Sequence, residues 1–540
     1  MYCSTCGTNN PAQARFCMGC GTSLISGMVC SNCQTLLPRE ARYCYHCGAF
    51  QAQPQAGGAQ TIASPPLAAA QAVQPVTLTP APRLADEPAI SVVGAPVAEQ
   101  PAAAEHRVGE LPAPRPLNEL LPSLRHYLND ELFDPLEAVP TPRDLEAACN
   151  HLDQLLGTVK TYLPWPVVSS PQPAGIPAGG IYRGVFLFGD VSGFTPLSEK
   201  LKFMGQEGAE IITRLINSLF KDLVTVLFDH GGTLLKFGGD ALLGLFPAST
   251  DEEMAAGALH AAQAGLAMQE VLKKEQFAKI QVLDEVRALQ IKCGISAGAY
   301  FAAHIGTQPS QQNRNGTMAY VTTGTTVNLA EEAEGHANPG EVAMIRKVYE
   351  LLGGQAEAAP VTREPDEDYL RLVSVPALEG ASRRLVIQEP EEGDVMARLT
   401  YLTERLDRLT PYLSDELVTR IAERPKDARI VPENRPVTVM FANYKGIARL
   451  IEKMGESNPE LITQQLNNYF VHMASIIERY EGTLARMDQY AVGDRLVIFF
   501  GAPRAHEDDP VRAVTTALEM QLAARENFSA LRTATGVYRF

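Results

Sequence analysis

The sequence predicts an α+β fold of the ferredoxin-like kind, and three consecutive stretches carry that expectation. Val185-Phe186-Leu187-Phe188 is a short apolar run that ends in Gly189-Asp190-Val191-Ser192-Gly193-Phe194-Thr195. A helical pattern follows, in which Leu215, Ile216, Leu219, Phe220, Leu223, Val224 and Leu227 recur at helical spacing. Thr233 to Phe237, a Gly238-Gly239-Asp240 turn and Ala241 to Phe246 then read as a hairpin. β-α-β-β in that order opens a split βαβ unit, whose first and third strands are sheet neighbours. Asp190 closes the first strand and Asp240 sits at the hairpin turn, so both carboxylates meet at one sheet end. There they repel one another unless a divalent cation lies between them. Asp190 alone would read as a helix N-cap and Asp240 alone as a turn residue. The pair in this topology favours a metal.

At 540 residues more than one domain is expected. The net charge of −16 argues against nucleic acid as a partner. No apolar run approaches the ~20 residues that span a bilayer. Met1-Tyr2-Cys3 opens directly on a cysteine motif, with no signal peptide. The expectation is a soluble, cytoplasmic protein.

The first fifty residues hold eight of the ten cysteines. Cys3, Cys6, Cys17 and Cys20 form one set, and Cys30, Cys33, Cys44 and Cys47 repeat its spacing at an offset of 27. Four thiolates per set suit one tetrahedral Zn²⁺, and ribbons this short have no core to fold them without metal. A disulfide scaffold needs an oxidising compartment, to which nothing here points. Two zinc ribbons, at 1–24 and 25–50, are therefore expected, each with one structural zinc and available to a protein partner. Cys149 and Cys293 fall outside the pattern and read as ordinary apolar positions.

Residues 51–116 are rich in Ala, Pro, Gln and Val and poor in aromatics, the composition of a disordered tether. A helical pre-segment follows at 117–180, with helices expected from Leu117 to Leu132 and from Leu145 to Tyr162. The α+β domain then spans 181–389, a helical connector 390–434, and a second, shorter domain 435–540.

Phe188 to Thr195 together with Lys236-Phe237-Gly238-Gly239-Asp240 resemble the class III nucleotidyl cyclase catalytic domain. Ile291 to Gly298 resemble that family's central strand and turn, and Tyr320 to Gly324 with Val327-Asn328-Leu329-Ala330 resemble its substrate-binding segment. The resemblance implies that Asp190 and Asp240 hold two Mg²⁺ or Mn²⁺ ions, with backbone at Val191 completing a coordination site. Gly193, Phe194 and Thr195 begin a helix whose free N–H groups suit phosphate. Lys236 falls at the base-reading position, where lysine suits adenine, and Asn328 at the position that orients the ribose. The second base reader falls on Val321, a departure, with Thr322 and Thr323 adjacent. Four residues after Asn328, where the family carries a transition-state arginine, stands Glu332, and an acid cannot do that job.

Thr438 to Gly446 resemble a second start of the same domain, and Arg486 to Phe500 resemble its hairpin. Two such domains on one chain resemble the tandem arrangement of mammalian soluble adenylyl cyclase and its bacterial relatives. The second copy reaches Phe540 in what should be a central strand, so the chain is expected to be part of something longer. It offers Asn443 where a metal aspartate belongs, and Tyr490 or Val492 at the position of Lys236. In this family each site forms between two domains, so pairing of the two copies, or a homodimer, is expected. The resemblance thus implies an adenylyl cyclase converting ATP to cyclic AMP and pyrophosphate in signal transduction. The alternative is a catalytically silent nucleotide-sensing or interaction module that regulates an effector beyond Phe540.

Overall fold

The computed structural model describes residues 111–540 except 171–176, 203, 283–284, 308–316, 378–383, 386, 389–393, 427–434, 445–449, 452–457, 491–492, 529, 534–535 and 540, together with three short strands, Met28–Val29, Leu36–Leu37 and His106–Arg107. It divides the chain into two units, Met1–Pro82 and Arg83–Phe540. In the first unit the two described strands form an antiparallel pair. All eight ribbon cysteines, and most of the tether, lie outside the described residues. Within the stretch read as tether, however, His106–Arg107 pairs in parallel with Ile387–Gln388.

The second unit opens with helices α1 (Leu117–Tyr127), α2 (Asp130–Glu137) and α3 (Pro142–Thr161). The single helix expected to Leu132 is two, because the Asn129 side chain accepts from the Leu132 N–H and starts a new helix. The next begins at Pro142 rather than Leu145, since Thr141 and Asp144 close a capping box and proline suits the first helical position.

The α+β domain follows in the expected order. β1 (Ala178–Ser192) leads into α4 (Phe194–Lys202) and α5 (Gly205–Asp229), then β2 (Thr233–Gly238), β3 (Ala241–Ala248) and α6 (Asp251–Leu272). β4 (Gln290–Gly306) and β5 (Met318–Thr323) form a long antiparallel arm, followed by α7 (Thr325–Gly335). β6 (Val342–Ile345), β7 (Glu357–Pro360) and β8 (Tyr369–Ser374) complete the domain. These strands make an eight-stranded sheet in the order β7-β8-β6-β4-β1-β3-β2, with β5 paired to β4. The first and third strands are neighbours, as the pattern required. The turn expected near Gly298 is absent: β4 continues through it to Gly306.

One core, on the α5 and α6 side, contains Val185, Leu187, Leu219, Leu223, Leu227, Ala261 and Ile295. The other face buries Phe186, Leu245, Tyr300, Val327 and Ala330 under α7. Cys149 and Cys293 are buried, as apolar positions should be.

Helices α8 (Val395–Leu409) and α9 (Asp415–Glu423) form the connector and share one core with α1, α2 and α3. The remainder comprises β9 (Thr438–Tyr444), α10 (Pro459–Arg479), β10 (Thr483–Tyr490), β11 (Gly493–Phe500), α11 (Asp509–Asn527) and a final antiparallel pair, Ala530–Thr533 with Gly536–Arg539, which stands apart from the sheet rather than forming its central strand. Its sheet order, β9-β11-β10, repeats the β1-β3-β2 order of the first half. α10 packs on the first half, where Phe301, Ala303, Ile305 and Val321 share a core with Ile462, Leu466, Tyr469 and Phe470. The Asn467 side chain accepts from the Gly306 N–H at 2.8 Å across the same contact. Among the described residues no helix is long and apolar enough to cross a membrane.

Candidate active site

Asp190 and Asp240 are brought together by the strand register. Asp190 lies opposite Ala241 in the β1–β3 pair, so Asp240 is one residue beyond it in the turn. The Val191 N–H donates to the Asp240 carbonyl at 3.2 Å and fastens strand end to turn. Gly239 adopts φ +76°, the left-handed conformation that lets the chain reverse there. Gly193, at φ +92°, turns β1 into α4, whose first residue is Phe194. The side chain of Thr195 lies outside the described residues.

On the other side of β1, Asp190 faces Lys292 of β4 in direct cross-strand register. The Lys292 ammonium stands 3.7 Å from Asp190 Oδ2 and in contact with the carboxylate of Glu334 on α7. Burial raises the pKa of Asp190 above the usual carboxylate range, and the charges of Glu334 and Asp240 raise it further, against the pull of Lys292. Carboxylates held this way favour a neutralising cation. Among the described residues no group of three or more His, Cys, Asp or Glu converges as a ready-made metal site. Two carboxylates with backbone oxygen nevertheless fit Mg²⁺ or Mn²⁺, hard ions that take one or two carboxylates and complete their shell from substrate phosphate and water. Lys292 and Glu334 were not singled out by the sequence pattern. Their signal is the cross-strand register, which only the paired strands reveal.

Lys236 lies on β2; burial raises the pKa of Glu331 on α7, and the nearby charge of Lys236 opposes that rise. Lys236 therefore shares a neighbourhood with Asn328, which is half-buried one turn earlier on the same helix. Glu332 accepts from the Tyr369 hydroxyl at 3.1 Å. Val321 is buried in the core shared with α10.

In the second half, Asn443 lies opposite Arg495, which places Asn443 at the position of Asp190 and Asp494 at that of Asp240. The expectation at the lysine position is corrected by the register. Both hairpins carry a bulge at the same place, after Leu234 and after Leu484. The next paired residue is Lys236 in one and Arg486 in the other, so the equivalent is a cation rather than Tyr490. Val492 lies outside the described residues.

The end of β1, the Asp240 turn, the α4 N-terminus and Lys292 thus come together at one end of the sheet. Residues 184–367 match the adenylate and guanylate cyclase catalytic domain, and residues 3–48 match the double zinc ribbon. The chain is thus similar, over those two stretches, to a class III cyclase catalytic domain and to a double zinc ribbon that precedes it in sequence. Its similarity to adenylate cyclase type 10 of Oryctolagus cuniculus runs at 22% identity over 381 residues, 68% of this chain and 22% of that protein. Adenylate cyclase 1 of Rhizobium meliloti (strain 1021) is 26% identical over 227 residues, covering 41% of this chain and 31% of the relative. The chain therefore spans between about a fifth and a third of the length of these relatives. Among solved structures, the adenylyl cyclase CyaB from P. aeruginosa matches at 23% identity with a TM-score of 0.31, covering 38% of this chain and all of that one.

Proposed function

We propose that the chain acts as an adenylyl cyclase, converting ATP to cyclic AMP and pyrophosphate at the Asp190/Asp240 site. The observation that carries this reading is the meeting of Asp190 with the Asp240 turn, secured by the Val191–Asp240 bond. Mg²⁺ or Mn²⁺ held by these carboxylates would lower the pKa of the attacking 3′-hydroxyl and carry charge on the triphosphate. Lys292 places a cation 3.7 Å from Asp190 at the same sheet end. The α4 N-terminus at Gly193 and Phe194 offers free N–H groups to phosphate.

The second half is a degenerate second cyclase domain in this reading. Arg486 supplies the cation at the base-reading position opposite the Asp190/Asp240 site, and Lys236 with Asn328 serve the other cleft. That other cleft is not catalytic: Asn443 cannot provide an anionic ligand, and Glu332, engaged by Tyr369, replaces the arginine. It suits a nucleotide-sensing role instead. The two ribbons each hold one structural Zn²⁺ through their four cysteines.

The test is cyclic AMP formation from ATP, with GTP in parallel, by the full chain in Mg²⁺ or Mn²⁺. Asp190→Ala and Asp240→Ala should each abolish turnover while leaving the melting temperature within a few degrees. Unchanged activity after either substitution would sink the assignment.

A further inference from the structure

Gly294 lies two residues along β4 from Lys292, on the same face of the strand. A side chain there would overlap the backbone of Ala330 and Glu334, so glycine lets α7 settle directly on the strand. That close approach lays the Glu334 carboxylate over the Lys292 ammonium. The side chains of Glu334 and Lys292 are only 10% and 13% exposed, against 31% for Asp190. A lysine so enclosed has two carboxylates to choose between, and it sits in contact with Glu334 while standing 3.7 Å from Asp190.

We infer that Glu334 is a positioning residue that holds the Lys292 ammonium off Asp190, and so keeps the Asp190/Asp240 pair open to a divalent cation. The inference rests on the reading of that pair as a metal site. Without its partner on α7, Lys292 closes on Asp190 and competes with the metal for the same oxygen. Bringing that charge from 3.7 Å into hydrogen-bond contact with the Asp190 carboxylate is worth roughly tenfold in cation affinity at the effective dielectric of a partly buried site.

The experiment is Mn²⁺ titration of the full chain, without nucleotide, read by the electron paramagnetic resonance signal of free Mn²⁺. The site under study is the fraction lost in Asp190→Ala. Glu334→Gln should weaken that site by roughly tenfold, measured at a temperature where the variant remains fully folded. Lys292→Met should tighten it. In the Lys292→Met background, adding Glu334→Gln should change the affinity little, because Glu334 acts through the lysine. An equal loss from Glu334→Gln in both backgrounds would mean that the acid acts by its own charge, and would overturn the inference. So would wild-type affinity in Glu334→Gln. Absence of any Asp190-dependent Mn²⁺ binding in the wild-type chain would overturn the metal-site reading itself.

Discussion

Tyr412, in the connector, holds its hydroxyl 2.6 Å from Nδ1 of His304, near the end of β4. The Tyr320 ring packs beside the same imidazole, with centroids 5.0 Å apart, and touches both the helical core and the sheet core. The helical bundle is thereby fastened to the β4–β5 arm, whose second strand leads into α7 and Asn328.

Burial pushes the His304 pKa down from 6.5 to about 4. The unfolded chain therefore binds a proton there that the folded chain refuses, between those two values. Stability from this group is complete above pH 6.5 and is lost as pH falls toward 4. His304→Gln should flatten that part of the stability curve. Thermal melts of both proteins across pH 7 to 4 measure it, and parallel curves would show that His304 is not the group responsible.

The packing of α10 on the first half gives a second expectation. Phe470 is 1% exposed, in the core it shares with Phe301, Ile305 and Val321. Phe470→Ala should cost about 3–5 kcal/mol in denaturant unfolding. It should also open the junction to protease at the arm and α10 before the sheet core is cut. A loss below ~1 kcal/mol would mean that the two halves do not depend on this contact.

The sequence patterns that proved legible were the local ones: the β-α-β-β order, the hairpin turn and the meeting of Asp190 with Asp240. The first two rest on a period or a turn residue within one short window, and the third follows from the sheet neighbourhood that the β-α-β-β order implies. What stayed hidden depends on register between distant segments. Gly298 reads as a turn signal, yet it sits mid-strand because a side chain there would strike Thr326 of α7. Lys236 precedes Asp240 by four positions, whereas Arg486 precedes Asp494 by eight, so matching the turns misaligns the strands. Only the shared bulge recovers the equivalence. Lys292 and Glu334 meet through strand pairing and helix packing, which no single window records.

For the ribbons, metal analysis of the full chain should find two zinc ions, lost together with the N-terminal domain on chelation. The eight thiolates fall into two sets of equal spacing, each enough for one tetrahedral site. Fewer than one zinc per chain would defeat this.

Gly294 and Gly335 make a paired test of how closely α7 must approach the sheet. At Gly294 a methyl group would overlap backbone atoms of Ala330 and Glu334, which cannot swing aside as a side-chain tip can. Gly294→Ala should therefore displace α7 and cost about 1–3 kcal/mol, as overpacked positions do. Because α7 carries Glu334, which holds Lys292 beside the Asp190/Asp240 site, cyclisation should fall by more than the loss of folded protein accounts for. At Gly335, at the end of the same helix, a methyl group would meet nothing within 4 Å, and the backbone there has no left-handed φ. Gly335→Ala should leave activity intact and stabilise the chain by up to ~1 kcal/mol, since alanine prefers a helix to glycine. Denaturant unfolding and cyclic AMP assays on the two variants decide the matter. Equal behaviour of the pair would show that α7 is not seated on β4 through Gly294.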